Sequence, residues 1–178
     1  ILETNDFKFE ESKITDEMLG RNNIFFMPYL MGERCPYNDP GARAAFIGMS
    51  MDSTRTDMLQ AVMEGISFGI RDSFEIARSL GIDIRRTKIC GGGSKGDLSK
   101  KMMADILNID VDVTENEQGP SMGGAMLAAV ACGEYSSVED AAEKIVKIRT
   151  TVHPDPETAA RYEEKYARYR KLYPLLKE

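Results

Sequence analysis

Residues 85–107, RRTKICGGGSKGDLSKKMMADIL, run as a strand, three consecutive glycines and an amphipathic helix. That succession restricts the chain to folds that present bare backbone to a ligand at the end of a strand. Thr87, Ile89 and the small Cys90 suit a buried strand, and Met102, Met103, Ile106 and Leu107 form one apolar stripe of the helix that follows. Gly91, Gly92 and Gly93 between them leave room for a ligand to lie on the main chain.

Spacing separates three readings of this turn. A phosphate-cradling P-loop needs a lysine directly after its second glycine; Gly91 and Gly96 have the right separation, but Asp97 follows. Gly91, Gly93 and Gly96 satisfy the dinucleotide pattern G-x-G-x-x-G, and Asp112 or Glu115 lies roughly 20 residues further on, where an acid would bind ribose. That pattern normally opens a fold, however, whereas here half the chain precedes it. Asp97 also places negative charge at the helix start, where a pyrophosphate would otherwise be favoured. In the third reading the glycines lie flat against an adenosine while the phosphates point elsewhere, and no cation is needed at position 97. An NAD-binding oxidoreductase domain stays open as the weaker alternative.

The longest element runs from Thr54 to Leu80. Leu59, Val62, Met63, Ile66, Ile70 and Phe74 recur at helical spacing and predict the core-facing stripe, with Thr54 and Asp57 as the start and Gly81 as the stop. Gly65 and Gly69 inside it each cost about 1 kcal/mol against alanine, which a close backbone contact with a neighbouring helix would offset. Glu64 beside them could face a nucleotide cleft, with a solvated surface carboxylate as the default. Upstream, Pro28 confines NIFFMPYL to an edge strand or extended coil. A long turn-rich loop follows, in which Glu33 and Arg34 read as a local ion pair.

Beyond the glycines, Ile109 to Val113 reads as a second strand, parallel to the first through a helical crossover. PSMGGAMLAAVACG is a helix whose Gly123, Gly124, Ala125, Ala128 and Ala129 predict close approach to a neighbour. Ser137 with Asp140 starts another helix, expected to run to Ile148, and Asp155 with Pro156 starts the last. Tyr162, Tyr166, Tyr169 and Tyr173 give that last helix an aromatic docking stripe. The sole histidine, His153, cannot head a metal cluster by itself.

The 178 residues, 42% hydrophobic and 29% charged, suffice for one domain with a real core. A net charge of −6 and a pI near 5.0 exclude a general nucleic-acid binder. Cys35, Cys90 and Cys132 lack metal or redox spacing and read as reduced thiols of a cytoplasmic protein. No apolar run approaches the roughly 18 residues of a membrane helix, so no membrane partner is expected. ILETNDFKFEESKITDEMLG begins without methionine and has weak periodicity apart from a short helix at Thr15 to Leu19, as the middle of a longer protein would.

FFMPYLMGERCPYNDPGARAAFIGM, TDMLQAVMEGISFGIRDSF, CGGGSKGDLSKKMMADIL and SMGGAMLAAVACG occur in an order that resembles the C-terminal domain of the FGGY carbohydrate kinases, and within that family those acting on xylulose. The resemblance implies an α/β fold: an incomplete ribonuclease H-like domain of the actin and hexokinase type, helix-rich with a short, mostly parallel sheet. Residues 1–178 would then be the C-terminal nucleotide-binding domain of a two-domain kinase, the sugar-binding domain and its proton-abstracting aspartate lying upstream. It further implies ATP and Mg2+ as cofactors and a sugar, D-xylulose first, as the phosphate acceptor, with the isolated fragment inactive. Adenosine would be held by Gly91, Gly92, Gly93 and Ser94, mostly through backbone. No catalytic or metal-ligating residue is expected within these residues. The glycine and alanine helix would connect the two domains and take part in closure. Ser99 stands where the family often has a tryptophan, so packing near the adenine must differ. A truncated sheet would also expose an edge through which a homodimer could form. A kinase-derived module that binds without catalysing is the other class of function.

Overall fold

Thr54 and Asp57 close a reciprocal cap, Thr54 Oγ1 accepting from the Asp57 amide and Asp57 Oδ2 from the Thr54 amide, and this starts α2 (Arg55–Ser79) where the sequence places it. Gly81, at φ +84°, turns the chain out of its end. The computed structural model describes residues 7–92, 95–115 and 119–177. Ahead of α2 lie α1 (Phe7–Glu11), a 3₁₀ turn at Asp16–Met18, and two short antiparallel strands, β1 (Phe25–Met27) and β2 (Ala45–Ile47), paired Phe25 to Ile47.

The second sheet carries β3 (Arg86–Ile89), β4 (Asp110–Thr114) and β5 (Ile148–Val152) in that order. β3 and β4 are parallel, Ile89 opposite Val113, and are joined through α3 (Asp97–Leu107). The expectation of a mostly parallel sheet holds for this pair alone, because β5 joins β4 antiparallel, Val152 opposite Val111. The helix predicted to reach Ile148 ends earlier: α4 (Gly119–Ala131) is followed by α5 (Val138–Ile145), after which Ile148, Thr150, Thr151 and Val152 are β-branched and extend. No helix among the described residues is long and apolar enough to cross a membrane.

The core gathers where α2, α3 and α6 (Pro156–Tyr169) meet β1. Met102 and Ile106 of α3 and Phe68 of α2 are buried with Tyr162, Tyr166 and Tyr169, and Tyr173 of α7 (Leu172–Leu176) extends the cluster. The tyrosine stripe is thus a docking surface within the chain: Phe68 lies 5.0 to 6.1 Å, ring to ring, from Tyr169, Tyr166 and Tyr162.

α2 corrects the sequence reading in an informative way. Ile66 and Ile70, expected in the core, are 48% and 38% exposed, while Gln60, Glu64, Ser67, Arg71 and Asp72 are buried. The helix turns this polar face inward because the tyrosine hydroxyls and Lys165 of α6 can satisfy it. Gly65 explains how closely α2 can sit: a Cβ there would lie 2.1 Å from the Phe26 carbonyl oxygen. The close neighbour is therefore a strand, not the helix expected. α4 departs as well, since Met126 is its only buried residue and a Cβ at Gly123 or Gly124 would meet nothing within 4 Å. The close approach expected of its small residues is not made among the described residues.

Candidate functional site around the glycine turn

Parallel pairing of β3 with β4 brings the carboxyl ends of both strands to one edge of the sheet, the place where open α/β folds bind ligands. The glycine turn leaves β3 at that edge. Gly91 has φ +77°, a conformation that disfavours any side chain, and the Gly92 carbonyl accepts from the Lys95 amide at 3.2 Å to fold the turn back. A Cβ at Gly91 or Gly92 would meet nothing within 4 Å, so the side-chain position of both is open. Gly93 and Ser94, the other two residues predicted to hold adenosine, lie outside the described residues.

Beside the turn is a cavity of about 200 Å³ lined by Cys90, Thr114, Gly119, Met122, Met126 and Ile145, among others. It is smaller than the roughly 300 Å³ or more of a site that encloses a whole ligand, so it suits one flat apolar part of a larger molecule. α4 enters here closely: a Cβ at Gly119 would lie 2.5 Å from Cys90 Sγ. β3 itself is more exposed than the sequence suggests, with Cys90 at the surface and only Thr87 and Ile89 half-buried, because β3 is an edge strand among the described residues.

Electrostatics at the start of α3 argue against phosphate there. Asp97 is exposed and bound to Lys100 Nζ at 2.7 Å, a contact that holds its carboxyl below the usual range and keeps it ionised. Glu11 adds a second carboxylate that sequence reasoning missed: a Cβ at Gly96, the residue before the helix, would lie 3.0 Å from Glu11 Oε2. An acidic pair at a helix start opposes the pyrophosphate that a dinucleotide fold places there. Asp112, the predicted ribose-binding acid of that alternative, is buried and accepts from Thr151 Oγ1 at 2.6 Å, with Arg86 Nε at 3.6 Å. Its oxygens serve the sheet.

The remaining polar candidates are structural. Glu64 is neither cleft-facing nor solvated: it is 1% exposed, 2.5 Å from Lys165 Nζ, and accepts from Gln60 Nε2 and the Tyr162 hydroxyl. Burial pulls the Lys165 ammonium down while its contact with Glu64 opposes that shift. Glu33 accepts from the Cys35 amide at 2.7 Å, and no ion pair joins it to Arg34. His153 Nδ1 sits 2.7 Å from Asp110 Oδ1 and links the end of β5 to β4. Among the described residues no group of three or more acidic, histidine or cysteine side chains could hold a metal ion.

The FGGY family of carbohydrate kinases, C-terminal domain, matches residues 5–132. The xylulose kinase of Bacillus subtilis strain 168 is 38% identical over 160 residues, 90% of this chain but 32% of its own length. A ligand-bound xylulose kinase from Lactobacillus acidophilus superposes with a TM-score of 0.85 at 26% identity, over 96% of this chain and 34% of that one. A gluconate kinase from the same organism superposes with a TM-score of 0.84, also at 26% identity and with the same coverage. The chain therefore spans about a third of the length of the relatives it matches. With the family model matched over most of the chain and the fold shared, the chain belongs to the FGGY family of carbohydrate kinases and carries that family's C-terminal domain.

Proposed function

We propose that these residues hold the nucleotide in an enzyme that passes the γ-phosphate of magnesium-bound ATP to a sugar hydroxyl, with D-xylulose the preferred acceptor and xylulose 5-phosphate the product. The observation that carries this reading is the open glycine turn at the carboxyl ends of two parallel strands, beside an apolar cavity, in a chain of the carbohydrate kinase family. Gly91 and Gly92, with Gly93 and Ser94, would take the adenosine through main-chain groups. The base would reach the cavity floored by Met122 and Met126. The carboxylates of Glu11 and Asp97 would turn the phosphates away from the start of α3. Magnesium would travel with those phosphates, since it keeps most of its water and needs few protein ligands.

Phosphoryl transfer asks for positioning and charge neutralisation more than for covalent chemistry, so a rigid platform for the nucleotide is a real contribution to rate. Sugar binding and removal of the hydroxyl proton would belong to the additional length that the relatives possess. Xylulose is preferred because the relatives and neighbours named xylulose kinase include the one 38% identical to this chain; gluconate is the competing acceptor. The test is phosphate transfer from ATP by the whole protein to xylulose, gluconate and glycerol. The highest kcat/KM is expected for xylulose. A preference for gluconate would overturn the sugar, and no transfer to any of the three would overturn the kinase reading.

A further inference from the structure

Lys88 and Lys147 reach the cavity beside the glycine turn from two different strands. β3 and β4 run parallel and end at this edge of the sheet, and the antiparallel β5 begins here, with Ile148 opposite Thr114. The residue just ahead of β5 is therefore delivered to the ends of the other two strands, where the Glu115 amide donates to the Lys147 carbonyl at 2.9 Å. Lys88 lines the same cavity as Cys90, two residues further on, as side chains that alternate along an extended chain do.

Neither lysine is neutralised by a carboxylate. Asp112, opposite Lys88 in the register, accepts from Thr151 and lies 3.6 Å from Arg86 Nε. Asp110 takes Arg86 Nη2 at 3.3 Å and His153 Nδ1 at 2.7 Å, so the acids of β4 are spent on other groups. Asp140 of α5 pairs with Lys144 at 2.8 Å, while Lys147 and the exposed Glu115 beside it form no ion pair within 4.0 Å. Both lysines are exposed and the cavity is apolar, so their stems form part of its wall while the ammonium groups stay in water. No carboxylate lines the cavity among the described residues.

The two flanks of the glycine turn thus differ in sign: Glu11 and Asp97 on the side of α3, Lys88 and Lys147 on the side of the strands. We propose that Lys88 and Lys147 bind the phosphates of the nucleotide and set the direction in which they leave the base, towards the start of β5 and away from α3. This rests on the proposed function, which puts the base in the same cavity. Each ammonium carries three donors on a flexible stem and suits phosphate oxygens, which only accept. The phosphate chain meets repulsion on one flank and attraction on the other, so the charge pattern orients the nucleotide while the apolar wall holds its base.

Calorimetric titration of the 178-residue chain with ADP and with adenosine separates the two contributions. Lys88→Gln and Lys147→Gln are each expected to weaken ADP at least about fivefold and to leave adenosine within about twofold of the parent. Lys88→Arg and Lys147→Arg, which keep the charge, should retain most of the ADP affinity, a rescue that a merely structural role would not give. Added salt should weaken ADP and spare adenosine. ADP affinity unchanged in both glutamine variants, or equal losses of ADP and adenosine, overturns the proposal and leaves the proposed function standing. Failure of the parent chain to bind either ligand overturns both.

Discussion

Glu64 Oε2 and Lys165 Nζ lie 2.5 Å apart, 1% and 3% exposed as side chains, and tie the middle of α2 to α6 across the core. Tyr162 and Gln60 complete the carboxylate's hydrogen bonds, so the pair is satisfied despite its burial. Removing one partner leaves the other charged and alone. Glu64→Gln and Lys165→Met are each expected to cost about 3 to 5 kcal/mol in urea unfolding, and the double variant much less than their sum. Additive losses in the double-mutant cycle would show that the two charges are not coupled.

Gly65 and Gly69 share one helix and are expected to respond oppositely to alanine. At Gly65 the new Cβ would strike the Phe26 carbonyl at 2.1 Å, so α2 must move off β1 and stability falls. At Gly69 the nearest atom is Pro28 Cγ at 3.7 Å, an ordinary contact, and the alanine should add about 0.5 to 1 kcal/mol through helix propensity. Thermal unfolding of the two variants checks this, and a destabilised Gly69→Ala would contradict the packing described.

Acid lability should trace to carboxyls held below their ordinary value. Asp110 is one, lowered first by its hydrogen bond with His153 and further by Arg86. Between the lowered folded value and the ordinary 3.8, the unfolded chain binds more protons than the folded one. The Asp110 contribution is therefore fully present above 3.8 and is lost as pH falls through the folded value. Asp110→Asn should lower the urea midpoint at pH 6 and make little difference near pH 2. A gap between variant and parent that stays constant with pH would refute the assignment.

Part of the fold, and the place of the glycine turn at the end of β3, were legible because they rest on local rules. The cap at Thr54, the stop at Gly81, the buried Met102 and Ile106 and the parallel order of β3 and β4 each follow from spacing or turn chemistry within a short window. The inward face of α2 was not legible, because what makes burial of Glu64 and Asp72 tolerable is Lys165, Tyr162 and Tyr166, about a hundred residues away. β5 was missed because the helix starting at Ser137 was carried past Ile145 to Ile148, and because Thr150 and Thr151 pair with Val113 and Asp112 only once the chain has folded back. Glu11 was missed beside the glycine turn for the same reason: nothing in its own segment points to Gly96.

Gly92 offers the most direct test of the nucleotide platform. Its Cβ position is open and its φ is not in the left-handed region, so Gly92→Val leaves the chain's packing undisturbed while covering the backbone that a ligand would lie on. Calorimetric titration of both forms with ATP and magnesium, ADP and NAD is the measurement to make. The account predicts saturable binding of the adenine nucleotides that Gly92→Val weakens at least about tenfold. Binding of NAD alone, or nucleotide affinity that is the same in both forms, would contradict it.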